Sequence, residues 1–341
     1  MASNGFLLRS VLVLALAASP SCLPADDRPP PGNVTFTVSP SPAVQDGVTT
    51  ADGFRITFTR LLLDIGRTGL NDPCTEYAEA RYDRLLDVTK GSGQKLSIIY
   101  GLGDCDVRFR IAAPTPDVLL GEGVTVEDKY FMGTYGTDAY ARSTASVFVE
   151  GHAVQGDVDE TFRWTFRKSI RYGSCRLPGD AGAPPVHLTG NVPIVKDIVI
   201  RGEALFRDEP RADAELRFAP FAAADRTFGN ADGVVDLDEL SAIRLPFAKR
   251  LAAVDGGGIG VPSAGAIDAS TDATDASTDT TDAAVDVPYA VTEGGSFRSA
   301  DGATETVETL RDYVYVILLP ELPVLDGIEP CSVQGRQGFR E

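Results

Sequence analysis

Histidine, methionine and tryptophan are scarce in this chain of 341 residues, which has two, two and one of them. A Ser-His-Asp or Cys-His site would need His152 or His187, and each stands alone in its sequence context. No G-x-S-x-G, P-loop or H-E-x-x-H motif occurs. We therefore expect that the protein is not an enzyme, although a pair of carboxylates for hydrolysis could lie among its many acidic residues.

Basic residues are too few to balance the acidic ones. There are 31 Lys and Arg against 49 Asp and Glu, which gives a net charge of −18. Nucleic-acid binding requires a basic face, so we expect no nucleic-acid partner. Strong acidity instead favours solubility and affinity for cations.

Long apolar runs are also missing. The run at 11–18 is too short to span a bilayer and is typical of a signal peptide, which we assign to residues 1–21. Cys22 lies where bacterial lipoproteins carry their lipid, and the Pro-rich residues 22–33 would form a tether. Cleavage at the A-x-A pattern of 15–17 would instead give simple secretion. We expect an extracytoplasmic protein of the cell envelope, lipid-anchored in the periplasm or at the outer membrane, or else secreted.

Four cysteines remain once Cys22 is set aside. They match no zinc-binding spacing, since there is no C-x-x-C and almost no histidine. In an oxidising compartment an even number predicts two disulfides, for which three pairings are possible. Proximity in sequence favours Cys74 with Cys105 and Cys175 with Cys331.

Alternation of apolar and polar residues is the main structural signal. It occurs at 35–38, 54–59, 106–111 and 162–167, with shorter apolar runs at 147–149, 198–200 and 313–319. Such strands, separated by Gly, Pro and Asp turns, predict a mainly β fold, an antiparallel sandwich or a barrel-like body. We interpret Phe162, Trp164 and Phe166 as a core stripe rather than a carbohydrate-stacking surface. A cap at 124–128 predicts one short helix over 127–132.

Composition divides the chain beyond the tether. We assign a β-rich domain to 34–211, a second region to 212–252, and a final segment, 291–341, whose strand at 313–319 returns to the β domain. Between them, 253–290 repeats Asp in an Ala/Ser/Thr background without Lys or Arg. A segment of this composition cannot bury a core, so we predict that it is disordered.

The most informative segment is 230–240, which reads NADGVVDLDEL. Calcium prefers roughly six to eight oxygen ligands, and a 12-residue calcium loop supplies them from positions 1, 3, 5, 7, 9 and 12, with glycine at position 6. Gly233 fits position 6. The remaining positions then assign the ligands as the side chains of Asn230, Asp232, Asp236 and Glu239 and the backbone carbonyl of Val234.

This spacing resembles an EF-hand or dockerin-type calcium loop over roughly residues 221–243. The resemblance implies one bound Ca²⁺, most simply as a structural brace. Position 1 is Phe228 rather than Asp. Either Asp225 replaces it in a longer loop, or backbone carbonyls between 226 and 230 do. Two other function classes stay open, namely a binding module for a glycan or protein partner and a carboxylate-dependent hydrolase.

The β-rich layout and the early stretch ITFTRLLLDIG are similar to two bacterial groups. These are secreted lipoproteins with an acidic linker and the periplasmic MbnP-like copper-binding family. Copper prefers His, Met or Cys ligands, and Met132 is the only methionine after Met1. We therefore assign no copper ligand and expect Ca²⁺ as the cofactor.

Overall fold

The computed structural model describes residues 30–71, 74–77, 82–133, 145–173, 175, 185–190, 192–209, 211, 213–245, 296–298, 304–327 and 331–338. The predicted signal peptide, the predicted lipidation site Cys22, most of the predicted tether and the Asp-rich segment 253–290 lie outside these residues.

Strands dominate the part of the chain that the structure describes, with 47% of residues in strands and 22% in helices. The strands are β1 (Gly32–Pro40), β2 (Val48–Thr49), β3 (Arg55–Asn71), β4 (Thr75–Glu76), β5 (Arg84–Asp87), β6 (Gln94–Ile111), β7 (Leu119–Leu120), β8 (Val147–Gln155), β9 (Val158–Phe166), β10 (Lys168–Gly173), β11 (Val186–Leu188), β12 (Pro193–Ile200), β13 (Val234–Val235), β14 (Ser296–Arg298), β15 (Thr304–Thr306), β16 (Pro323–Leu325) and β17 (Ser332–Gly338).

The helices are short. The α-helices are α1 (Pro42–Asp46), α2 (Val126–Met132), α3 (Ala219–Ala223) and α4 (Leu310–Asp312). The 3₁₀ turns are Val88–Lys90, Gly202–Phe206, Glu239–Ala242 and Leu319–Glu321, and the π-helical turns are Ala224–Phe228 and Tyr313–Leu318. Helix α2 confirms the short helix predicted from sequence, and Thr125 and Asp128 form its capping box.

One large sheet curls into a half-barrel. Its main path runs in the order β13-β9-β8-β3-β6-β1-β12-β16. The long strands β3 and β6 carry the curvature, since bulges interrupt the pairing of β3 with both β8 and β6, and bulges bend strands. Most pairings are antiparallel, but β1 with β12, β5 with β7 and β13 with β9 are parallel. The predicted mainly β, barrel-like body is confirmed, with a mixed rather than purely antiparallel sheet.

The main hydrophobic core lines one face of this sheet, and a smaller separate cluster contains Leu62 of β3 and Met132 of α2. Phe162, Trp164 and Phe166 alternate along β9 and are fully buried, which confirms the predicted core stripe. Trp164 packs against Phe206 and Phe221, so the segments beyond β12 close over the sheet. This stripe therefore cannot serve as an exposed platform for a sugar.

Both disulfides form with the predicted pairing, Cys74 with Cys105 and Cys175 with Cys331. Disulfides persist in oxidising compartments, so this pairing fits a protein that resides outside the cytoplasm. Within the described residues, none of the helices combines the length and apolar character needed to cross a membrane.

The prediction of a buried strand at 313–319 is wrong. Helix α4 continues into the π-helical turn Tyr313–Leu318 and the 3₁₀ turn Leu319–Glu321, and the strand β16 begins only at Pro323. Most side chains of this run are buried, so it is apolar on nearly every side and its periodicity does not separate a strand from a helix.

Candidate functional site

The sequence-predicted ligands lie in the acidic loop, residues 225–239, which connects α3 to the 3₁₀ turn Glu239–Ala242. The loop is held at both sides. Before it, Asp52 accepts hydrogen bonds from the backbone N–H groups of Phe218 and Ala219 at 2.8 and 2.7 Å, which caps the start of α3. After its turn, β13 pairs with β9, and the indole N–H of Trp164 donates to the carbonyl of Val235 at 3.1 Å.

Two glycines shape the turn. Gly233 has φ +79°, in the left-handed region, as glycine at position 6 of a calcium loop requires. Gly229 has a different role, because a Cβ built there would lie 2.3 Å from Oε1 of Glu239. Only a glycine at 229 lets the Glu239 carboxylate approach this side of the loop.

Asp225, one of the two alternatives for the position at which Phe228 breaks the pattern, contacts the turn of the loop. It lies in the π-helical turn and is 1% exposed. Its carboxylate accepts the N–H of Asp232 at 3.1 Å and the N–H of Gly233 at 3.0 Å, so it reaches across the turn at positions 5 and 6. Of the two alternatives left open by the sequence, the geometry favours the longer loop that begins at Asp225.

The predicted ligands are connected by hydrogen bonds within the loop. Oδ1 of Asn230 accepts the N–H of Asp232 at 2.9 Å, and Oδ1 of Asp232 accepts the N–H of Val234 at 2.9 Å. Asp236 accepts the N–H of Glu239 at 2.9 Å. Glu239 in turn accepts the N–H groups of Asn230 and Asp236, at 3.3 and 3.2 Å. Glu239 thereby ties the first half of the loop to the second.

These carboxylates face backbone N–H groups rather than a shared point. No set of three or more His, Cys, Asp or Glu side chains in the described ranges lies close enough together to hold a metal ion. The donor chemistry nevertheless suits calcium, because every predicted ligand atom is an oxygen. Burial raises the pKa of Glu239, helped by the charges of Asp236 and Asp225, although two backbone hydrogen bonds act against this rise.

Glu160 adjoins the loop from β9 and was not identified from the sequence. It is 3% exposed, and Thr161, the next residue, donates its N–H to the carbonyl of Gly233 at 2.9 Å. Burial raises the pKa of Glu160 to about 7, and the charge of Asp225 and a hydrogen bond with that carboxyl group add to the effect. The alternation of β9 carried the signal, since Glu160 occupies an inward position in line with Phe162 and Trp164.

A second buried acid, Asp64, bears on the hydrolase alternative. Burial raises the pKa of Asp64 well above its ordinary value, and the charge of Asp83 adds to the effect. Hydrolysis by two carboxylates requires that substrate reaches both. Asp64 is 1% exposed, and Asp83 accepts a hydrogen bond from Arg110 at 2.6 Å. The described residues therefore offer no open cleft at this pair.

Comparisons with protein-family models, with curated proteins and with solved structures found no match to this chain.

Proposed function

We propose that the protein binds one calcium ion in the acidic loop, outside the cytoplasm, and that the ion fastens the loop to the β body. The side-chain oxygens come from Asp225, Asn230, Asp232, Asp236 and Glu239, and Val234 contributes its carbonyl. We further propose that lipid on Cys22 anchors the chain to a membrane, as its N-terminal sequence indicates.

The observation that carries the calcium proposal is the position of Asp225. A loop with Phe228 at its first position lacks one carboxylate, and a missing first carboxylate weakens a site. Asp225 supplies a carboxylate at the turn around Gly233, where it contacts the N–H groups of positions 5 and 6. Each carboxylate that accepts an N–H keeps other lone pairs, which are available to a cation.

Calcium binding requires a rearrangement of the loop. The oxygens of Asp232 and Glu239 must turn from their backbone donors towards Asp225. The gain is neutralisation of carboxylates that otherwise raise one another's pKa, as Asp225 and Asp236 do for Glu239. A ligand that binds only the folded state stabilises it by mass action, so the ion would act as a brace. Extracellular calcium is plentiful enough to fill a site with a Kd of about 10⁻⁴–10⁻³ M.

The test is calorimetric titration of calcium into chelator-stripped protein that lacks residues 1–22. We expect saturable one-site binding and a higher melting temperature in calcium. Glu239→Gln should abolish or severely weaken binding, because the amide cannot act as a bidentate anionic ligand.

Asp238→Asn is the matched control for Glu239→Gln. Asp238 is adjacent in sequence, its side chain is 89% exposed, and the substitution removes the same charge. We expect it to bind calcium like the parent protein. Absence of binding up to millimolar calcium, or equal binding by the Glu239→Gln variant, would contradict the proposal. A binding module for a glycan or protein partner would then be the leading alternative.

A further inference from the structure

Glu160 and Asp225 form a pair of buried carboxyl groups with little positive charge near them. They are 3% and 1% exposed. Among the described residues, the basic group that pairs with Glu160 is the guanidinium of Arg226, whose Nε lies 3.7 Å from Oε1, and the Arg226 side chain is 47% exposed. This distance is longer than a hydrogen bond, so the ion pair compensates only part of the buried charge.

One carboxyl oxygen of Glu160, Oε2, lacks a hydrogen-bond partner among the described residues. Oε2 is buried, and no N–H or O–H group of the described residues reaches it. Buried carboxylate oxygens without partners are costly, so such a group either keeps a proton or binds a cation. The same side chain contacts Asp225, which is the first proposed ligand of the loop.

The backbone fixes Glu160 relative to the loop. Val234 and Val235 pair in parallel with Thr161 and Phe162, and the N–H of Thr161 donates to Gly233. Glu160 therefore precedes, by one residue, the point at which β9 attaches to the turn. Its carboxyl group therefore lies on the buried side of the loop, beside Asp225.

We propose that Glu160 is a further ligand of the calcium ion, contributed by β9 from the side opposite the loop's exposed residues. The inference rests on the proposed function, because it concerns the same site. It accounts for an acid on the apolar face of β9, beside Phe162. It also adds an oxygen donor to a loop whose first position is irregular, and calcium accepts up to about eight oxygens.

Calcium affinity of Glu160→Gln tests the inference, with Asp159→Asn as the matched control. Asp159 is adjacent on the same strand, its side chain is 71% exposed, and its substitution removes the same charge. We expect Glu160→Gln to weaken calcium binding by at least about tenfold, whereas Asp159→Asn changes it by less than about twofold, because an exposed charge is screened by solvent and salt.

A spectroscopic measurement gives a second readout. Trp164 is the only tryptophan, and its indole donates to Val235 next to the Val234 carbonyl. Terbium, a trivalent ion that also prefers oxygen ligands, should therefore be sensitised by excitation of Trp164. We expect the terbium signal to reach half-saturation at similar terbium concentrations in the parent protein and in Asp159→Asn, and only at a higher concentration in Glu160→Gln, and we expect calcium to abolish the signal of the parent protein.

The outcomes separate the two proposals. Tight binding by the parent and equal binding by Glu160→Gln would overturn the role of Glu160 while leaving the calcium loop intact. Absence of binding by the parent protein would overturn both. The melting temperature of Glu160→Gln in chelator verifies that the variant folds. It should equal or exceed that of the parent protein, since an uncharged amide is easier to bury than a carboxylate.

Discussion

Glu160 lies on the buried side of β9, yet it carries a carboxyl group whose pKa is raised from 4.5 to about 7. Between these two values the folded protein binds more protons than the unfolded chain. The free energy of unfolding, measured in chelator, should therefore fall as pH rises from about 4.5 to about 7. Equilibrium denaturation at several pH values measures this fall, and Glu160→Gln should reduce it.

Glu122→Gln is a control for this pH dependence, because Glu122 is exposed. It should leave the pH profile of stability unchanged. Asp64 also has a raised pKa and contributes a fall of the same sign, so part of the dependence persists in Glu160→Gln. Identical pH profiles for Glu160→Gln and the parent protein would show that the Glu160 carboxyl group does not titrate in this range.

Sequence spacing predicted some residues of the acidic loop and left others undecided or unrecognised. The turn of a calcium loop has a residue in the left-handed backbone region, which favours glycine, so Gly233 could be placed there from the sequence. Its φ of +79° agrees. Asp225 was one of two options, because the π-helical turn that brings it to the loop has no sequence signature. Asp52 was missed altogether, since it caps α3 from a distant part of the chain.

Elements were predictable where one face of a strand is buried and one exposed. In β9 the alternation is regular, and the structure follows it. The run after Thr309 is different, because its apolar residues are buried on nearly all sides. Its periodicity therefore does not separate a strand from a helix, and its length is compatible with both. The T-x-x-D sequence at Thr309 and Asp312 was the available signal for a helix start.

Thr309→Ala tests how much this helix start matters. The Thr309 hydroxyl accepts the N–H of Asp312 at 3.2 Å, and the Asp312 carboxylate accepts the N–H of Thr309 at 3.0 Å. Loss of the hydroxyl should lower the free energy of unfolding by about 1 kcal/mol, the usual cost of a lost N-cap. Thr309→Ser keeps the acceptor and should cost much less. Equal denaturation midpoints for the two variants would show that the cap contributes nothing.

At the scale of the whole molecule, the long segment that contains 253–290 leaves and returns at neighbouring points. Arg244 pairs with Thr309 in an antiparallel bridge, and Leu245 donates its N–H to Glu308 at 3.0 Å. Beyond this return, β16 pairs with β12 and β17 with β10. The Cys175–Cys331 disulfide then joins the two sides of the segment covalently. The body is therefore completed by residues from both sides of an insertion.

Deletion of 253–290 should leave this body intact. The deletion more than halves the connection between Arg244 and Thr309, which by loop entropy favours folding by about 0.8 kcal/mol. It also changes the net charge from −18 to −11, because the segment holds seven Asp and no Glu, Lys or Arg. At physiological salt these charges are screened beyond about 8 Å, so calcium affinity should change by less than about threefold.

Denaturation and calcium titration measure both effects, with a Gly/Ser segment of equal length as the control for chain length. The contrary outcome is a loss of stability above about 2 kcal/mol in both the deletion and the Gly/Ser variant. It would mean that the Asp-rich segment packs on the body, since loop entropy cannot account for a loss of that size or sign.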